Sequence, residues 1–420
     1  MHFFKYEGSE FHCEATPIKK IAEKVGTPFY LYSYNTLLHH YKVFDKAFKG
    51  IAHLVCFAVK ANPNLALLSL FAREGAGADV VSGGEIFRAL RAGISPSKIV
   101  YAGVGKTEEE IENALGHDIL MFNVESDQEL HLINEIAGRL KKKARVALRI
   151  NPDVDPQTHP YISTGLKKNK FGIDISLAVE EYQEAKNLKN IEVVGVHKHI
   201  GSQITQVQPF VDSLVKIAEL VKHLRELDID IRYLDVGGGL GITYKGEDPP
   251  TPKVYAESLI AVVKDLGCTI ILEPGRVIVG NAGVLVTKVL YVKKTPRKNF
   301  IVVDAGMNDL ARPSLYGSYH SILPVAKGKD GKKTFLADVV GPICESADFL
   351  AQERELPEVK PGELLAVMSA GAYGFSMSSN YNSRRRVAEV LVNENQYEII
   401  RARESNDDLI RGEKIPGFVS

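Results

Sequence analysis

The chain has 420 residues, 45% of them hydrophobic and 25% charged, with no tryptophan and a formal net charge of zero. That balance excludes a strongly basic nucleic-acid binder, and the four scattered cysteines (Cys13, Cys56, Cys268, Cys344) form no CxxC pair, so neither a zinc framework nor a disulfide scaffold is expected. No apolar run is long enough to span a bilayer and the start shows no leader pattern, so a cytoplasmic protein of two or three domains is expected.

The first stretch, to about residue 30, fits no simple pattern, although Phe3–Tyr6 reads as a strand. From there to about residue 275, short runs rich in Val and Ile alternate with longer amphipathic segments. The runs are His53–Lys60, Gly77–Ser82, Lys98–Gly103, Ile119–Glu125, Arg145–Ile150, Val193–Ile200, Ile231–Val236 and Thr269–Glu273. They show little alternation, as parallel strands buried on both faces do. Helical spacing of apolar residues marks Leu65–Arg73, Gly84–Ala92, Ser126–Lys142, Val207–Glu226 and Val254–Leu266. This repetition predicts a (β/α)8 barrel over residues 30–276, with a doubly wound sheet as the alternative.

After Arg276 the pattern changes. Val284–Val292, Phe300–Asp304, Thr334–Val340, Glu363–Met368, Arg386–Val392 and Tyr397–Ala402 read as strands. Hairpin turns are expected at Lys327–Lys333 and Asn393–Gln396, and a short helix at Ile343–Glu353. Residues 1–29 and 277–420 are therefore expected to form a mostly antiparallel β-domain.

In a barrel the chemistry sits at the C-terminal strand ends. Lys60 closes the first run, and its amine is of the kind that bonds an aldehyde such as pyridoxal phosphate. The plain alternative is a strand-end lysine reaching for solvent. Asp79 and Ser82 lie in the second run. The sixth ends in His197-Lys-His-Ile-Gly-Ser-Gln203, where His197 and His199 share a face and Lys198 points away. An imidazole there can stack on an aromatic ring, act as a base or bind metal with Glu273 or Asp79 as third ligand. Gly237, Gly238 and Gly239 after the seventh run, and Gly275 with the Arg276 amide after the eighth, can cradle an anion. Glu273 can hold the proton of a pyridine nitrogen, or it can be a buried acid paired with Arg276.

Five stretches together resemble the pyridoxal-phosphate decarboxylases with an alanine-racemase-type barrel. They are Phe57–Asn62, Gly77–Glu85, His197–Gln203, Asp235–Gly239 and Glu273–Arg276. Five more resemble the diaminopimelate-specific group of that family: His159–Gly165, Arg312–Tyr316, Gly341–Ser346, Ala370–Gly374 and Tyr381–Arg384. Arg385 and Arg386 stand where a proline is common in the family. The resemblance implies pyridoxal 5'-phosphate as cofactor and no metal. It makes Lys60 the residue that bonds the cofactor aldehyde and places Asp79 in the cofactor site. His199 would stack on the ring. Ser202, Gly238, Gly239 and the loop Glu273, Pro274, Gly275 and Arg276 would hold the phosphate, with Tyr373 adding a hydroxyl. Arg276, Arg312, Tyr316 and Tyr373 would contact substrate. Cys344, as proton donor, and Glu345, on the distal amino-acid group, would enter from the second subunit of a homodimer. The implied reaction is decarboxylation of meso-2,6-diaminopimelate to L-lysine and CO2. A related ornithine or arginine decarboxylase, an amino-acid racemase and a non-catalytic cofactor carrier are the alternatives. Diaminopimelate has a far carboxylate for an arginine to grip, and ornithine has none, so Arg312 beside Cys-Glu-Ser favours the former.

Overall fold

A computed structural model describes residues 2–156, 158, 164–165, 170–327 and 333–419. Residues 159–163 of one quoted motif and 328–332 of one expected turn lie outside them. The chain divides into two compact units, Leu38–Ile278 and Met1–Leu37 with Val279–Ser420.

The first unit is built on eight parallel strands: β1 (His53–Ala58), β2 (Gly77–Val80), β3 (Ile99–Tyr101), β4 (Met121–Val124), β5 (Ala144–Asn151), β6 (Ile191–His197), β7 (Tyr233–Asp235) and β8 (Thr269–Leu272). Neighbours pair in sequence order, β8 pairs with β1, and β4 pairs with β5, which closes the ring. The doubly wound alternative is thereby excluded. Cys56, Val100, Met121, Ala147, Val194 and Ile271 form one buried cluster. Residues from six strands can meet only inside the barrel, so this cluster fills the lumen.

Helices follow the strands, and side chains start several of them. Asn64 accepts from Ala66 N, Ser82 from Glu85 N, and Ser126 from Glu129 N. Ser82 was expected within the second strand; it is instead the cap of helix Gly83–Arg91. Helices Tyr34–Ala47, Glu108–His117 and Ala178–Asn187 were not anticipated. Glu108–His117 did carry a signal, since Thr107 and Glu110 form a reciprocal capping box.

The second unit holds a mixed but mostly antiparallel sheet. Its order is Phe349–Pro357, Thr334–Val340, Asn299–Val303, Gly283–Lys294, Phe29–Ser33, Ala388–Asn393 and Gln396–Arg401. The turn expected at Asn393–Gln396 is present, with those two residues paired. Phe4–Glu7 forms a small sheet with Glu10–Cys13 and Thr16–Pro17. The helix expected at Ile343–Glu353 does not form. Asp348 accepts the backbone N–H groups of Met307 and Ile343, each at 2.6 Å, and the chain enters a strand at Phe349. A carboxylate holding two backbone donors favours a looped backbone over a helix.

Candidate active site

β1 stops at Ala58, and Val59–Ala61 forms a single 3-10 turn, so Lys60 stands on a turn and not on the strand. Its ammonium donates to Asp79 Oδ2 of β2. Asp79 is wholly buried. Burial, and then the charge of Glu273, raise its carboxyl to about 7 against the pull of Lys60.

β6 likewise ends at His197, leaving His199 on the loop beyond. His199 Nδ1 accepts the Gly238 N–H at 3.1 Å. Burial, then the nearby Arg149 guanidinium, hold this ring well below the ordinary imidazole value. It is therefore a neutral, flat surface near neutral pH. Arg149 was not singled out from the sequence. It is buried, paired to Glu125 at 2.6 Å, and its position at the end of an apolar strand was the available signal. Lys198 does point away from its neighbours, toward the ring of Phe210 at 5.6 Å.

Glu273 follows β8 and is 4% exposed. Its Oε2 lies 3.7 Å from His197 Nε2, and its Oε1 lies 3.5 Å from Asn123 Nδ2. Burial alone would raise this carboxyl, but His197, and then the Lys60 ammonium, draw it below its ordinary value. Asp235 stands beside it, and burial and the Glu273 charge hold Asp235 well above the carboxylate range. Of the three buried acids Asp79, Asp235 and Glu273, only the last is drawn below its ordinary value. Arg276 donates to Tyr244 Oη at 2.7 Å and to Ser202 Oγ at 3.1 Å, so the hydroxyl and guanidinium expected together do meet.

The glycine loops are close-packed. A Cβ on Gly238 would sit 2.2 Å from the Glu273 carbonyl oxygen, and one on Gly239 would sit 2.5 Å from that of Gly201. A Cβ on Gly275 would lie 2.9 Å from Ala61 Cβ. Only glycine lets the ends of β6, β7 and β8 come this near one another. These residues suit pyridoxal phosphate by their chemistry: an amine for the aldehyde, a neutral ring for stacking, a buried anion for the pyridine nitrogen, and hydroxyl, guanidinium and a glycine turn for the phosphate.

In the second unit Arg312 is buried at the start of helix Arg312–Tyr316, with Nη1 3.1 Å from His320 Nε2. His320 Nδ1 lies 2.8 Å from the Met368 carbonyl, which fixes the ring as acceptor toward Arg312. His320 was not foreseen. Cys344 and Glu345 are exposed. Cys344 N donates to Asn382 Oδ1 at 2.8 Å, and Tyr381 Oη donates to Glu345 Oε2 at 2.7 Å. Two motifs separated in the chain are thus brought to one place. Tyr373 is half-buried with φ of 55°.

Comparison with known proteins agrees with this geometry. Residues 34–280 match the family model described as the pyridoxal-binding domain of pyridoxal-dependent decarboxylases. The diaminopimelate decarboxylase of Aquifex aeolicus strain VF5 is 53% identical over 409 residues, covering 97% of this chain and 96% of its own. A crystal structure of diaminopimelate decarboxylase from Helicobacter pylori complexed with L-lysine is 46% identical, with a TM-score of 0.91 over 94% of this chain and 98% of that one. One from M. jannaschii is 41% identical, with a TM-score of 0.94 over 100% and 99%. The chain belongs to the pyridoxal-dependent decarboxylases and, among them, to the diaminopimelate decarboxylase family.

Proposed function

We propose that this chain is a carboxy-lyase that uses pyridoxal 5'-phosphate to convert meso-2,6-diaminopimelate to L-lysine and CO2, the last step of lysine biosynthesis. The observation that carries the reading is the joint placement, at the C-terminal strand ends, of the Lys60 amine, the neutral His199 ring and the Glu273 anion. The bound cofactor supplies an aldehyde that bonds amines and a ring that accepts the electron pair left by the lost carboxylate.

The roles assigned to side chains follow from their chemistry. Lys60 would hold the cofactor through its aldehyde, and its free amine would be the group that releases product. Asp79, hydrogen-bonded to the Lys60 amine, is poised to take and return its proton near neutral pH. His199 would hold the ring by stacking, and its neutrality would avoid placing a cation there. Glu273 holds the proton on the ring nitrogen and so keeps the ring electron-poor. Ser202, Gly238, Gly239, Pro274, Gly275, Arg276 and Tyr373 are assigned to holding the phosphate. Arg276, Arg312, Tyr316 and Tyr373 are assigned to substrate, and the His320 contact fixes the fork of Arg312 for a carboxylate.

Cys344 and Glu345 are assigned to the site of a second copy, Cys344 protonating the α-carbon and Glu345 binding the distal ammonium. This makes the active form a homodimer with shared sites. Their exposure within one chain supports that assignment. No helix among the described residues is long and apolar enough to cross a membrane, which fits the proposed cytoplasmic location. The racemase alternative is disfavoured by Glu273, because a racemase of this type is expected to oppose the ring nitrogen with an arginine and weaken the electron sink.

Borohydride reduction tests the cofactor role: the yellow colour should bleach and leave the reduced adduct on Lys60. A protein still colourless after incubation with pyridoxal phosphate contradicts it.

A further inference from the structure

Asp235 has no part in the chemistry assigned above, yet it is a wholly buried acid beside Glu273. It is fully buried at the end of β7. Its Oδ1 accepts the Gly237 N–H at 2.9 Å, and its Oδ2 accepts Asn123 Nδ2 at 3.0 Å. Oxygen or nitrogen atoms of His197, Asp235 and Glu273 lie within 4.8 Å of one another. The groups facing this cluster are Asp79 from β2, Cys56 from β1, His197 and Lys198 from β6 and its end, and Lys60 and His199 on the side of Glu273. Two carboxylates cannot both stay ionised in such a space, so one retains a proton. His197 and Lys60 gather on Glu273, while Asp235 has Asn123, a backbone amide and, without a hydrogen bond, the Lys198 amine. This asymmetry favours Asp235 as the acid that keeps the proton.

We propose that Asp235 is a positioning residue whose carboxylic proton is donated to Glu273, so that Glu273 stays a weak base and leaves the proton on the cofactor's ring nitrogen. The inference rests on the cofactor assignment made above. A bare buried carboxylate next to a pyridinium is a strong base and can draw the proton to itself. A hydrogen bond from Asp235 stabilises the Glu273 anion and lowers its proton affinity. Asp235 thus acts on the ring nitrogen through Glu273 without touching the cofactor.

Asn123 makes the idea testable. Its Oδ1 is buried with no hydrogen-bond partner among the described residues. In Asp235→Asn, a flip of the Asn123 amide lets that oxygen take one N–H of the new amide, while the other N–H is offered to Glu273 in place of the long Asn123 Nδ2 contact at 3.5 Å. The donor is kept and the acid removed. Asp235→Val removes both.

The holoenzymes are compared by 15N NMR of ring-labelled cofactor and by infrared difference spectroscopy. Wild type should show a protonated ring nitrogen and a carboxylic-acid C=O band that is absent from Asp235→Asn. Asp235→Asn should keep the ring nitrogen protonated. Asp235→Val should shift the nitrogen toward the neutral form and lose roughly 10- to 100-fold in kcat, the weight of one hydrogen bond to a charged group, with little change in KM. An infrared band that survives in Asp235→Asn, or a ring nitrogen equally protonated in both variants, overturns the proposal. So does a divalent metal held stoichiometrically by His197, Asp235 and Glu273. Asp235→Asn supplies the infrared result even where Asp235→Val does not fold. Failure to bind cofactor at all by wild type marks failure of the cofactor assignment instead.

Discussion

Lys198 shows how one residue can be unfavourable in the fold and still be kept there by its neighbours' positions. It lies between His197 and His199, so its side chain must face away from theirs, into the packing around helix Gln208–Glu226. There it is wholly buried, and its ammonium has no hydrogen-bond partner among the described residues. Burial lowers its pKa from 10.5 to about 7, against the pull of the negative charge that the Asp235–Glu273 pair holds. The unfolded chain then binds more protons than the folded one between those two values, so stability rises with pH across that window. Below about 7 the destabilisation is complete, and above 10.5 it is gone. Lys198→Met keeps the length of the side chain and removes the charge. It should raise stability at pH 6 by on the order of a few kcal/mol and change it little at pH 10.5. Denaturant melts at the two pH values measure this, and equal shifts at both would contradict it. Asp348 is the converse case, a buried acid that organises the loop carrying Cys344 and Glu345. Asp348→Ala removes the acceptor of two backbone donors and should cost about 2–4 kcal/mol. It should also loosen the loop carrying Cys344 and Glu345, read as faster amide exchange over residues 341–348.

At the scale of elements, the strand ends carry the site and the glycines set their spacing. Gly238 approaches the Glu273 carbonyl so closely that Gly238→Ala must displace one of the two strand ends. The expected outcome is a loss of about 1–3 kcal/mol in stability and a weaker hold on pyridoxal phosphate, measured by equilibrium dialysis. Unchanged cofactor affinity would show that this turn is only structural. The eight barrel strands were legible because buried parallel strands are continuous Val- and Ile-rich runs. Their exact ends were not, since Val59 is as apolar as any strand residue but turns because Asn62-Pro63 follows. Phe29–Ser33 escaped notice because its partners lie far away in sequence, at Gly283–Val286 and Ala388–Val392. Side chains whose role is to hold another residue were harder still to read. His320 and Arg149 matter through Arg312 and His199, and no local spacing marks such relations. The motifs around Cys344 and Tyr381 were readable as stretches, but the hydrogen bonds joining them are a product of the fold.

For the whole molecule, the proposed sharing of sites between two copies makes a prediction that no single chain can satisfy. Mixing a Lys60→Ala chain with a Cys344→Ala chain should restore part of the activity, because one hybrid site keeps both groups. Verified heterodimers with no recovery would refute the shared site. The substrate reading rests on signs of charge: arginines for two carboxylates, and Glu345 for the distal ammonium. The most direct test of the account is therefore an assay of the holoenzyme for L-lysine and CO2 from meso-2,6-diaminopimelate, run beside ornithine and arginine. Equal amounts of lysine and CO2 from diaminopimelate, with little CO2 from the other two, is the predicted result. Turnover of ornithine or arginine in preference, or racemised product without CO2, would contradict it.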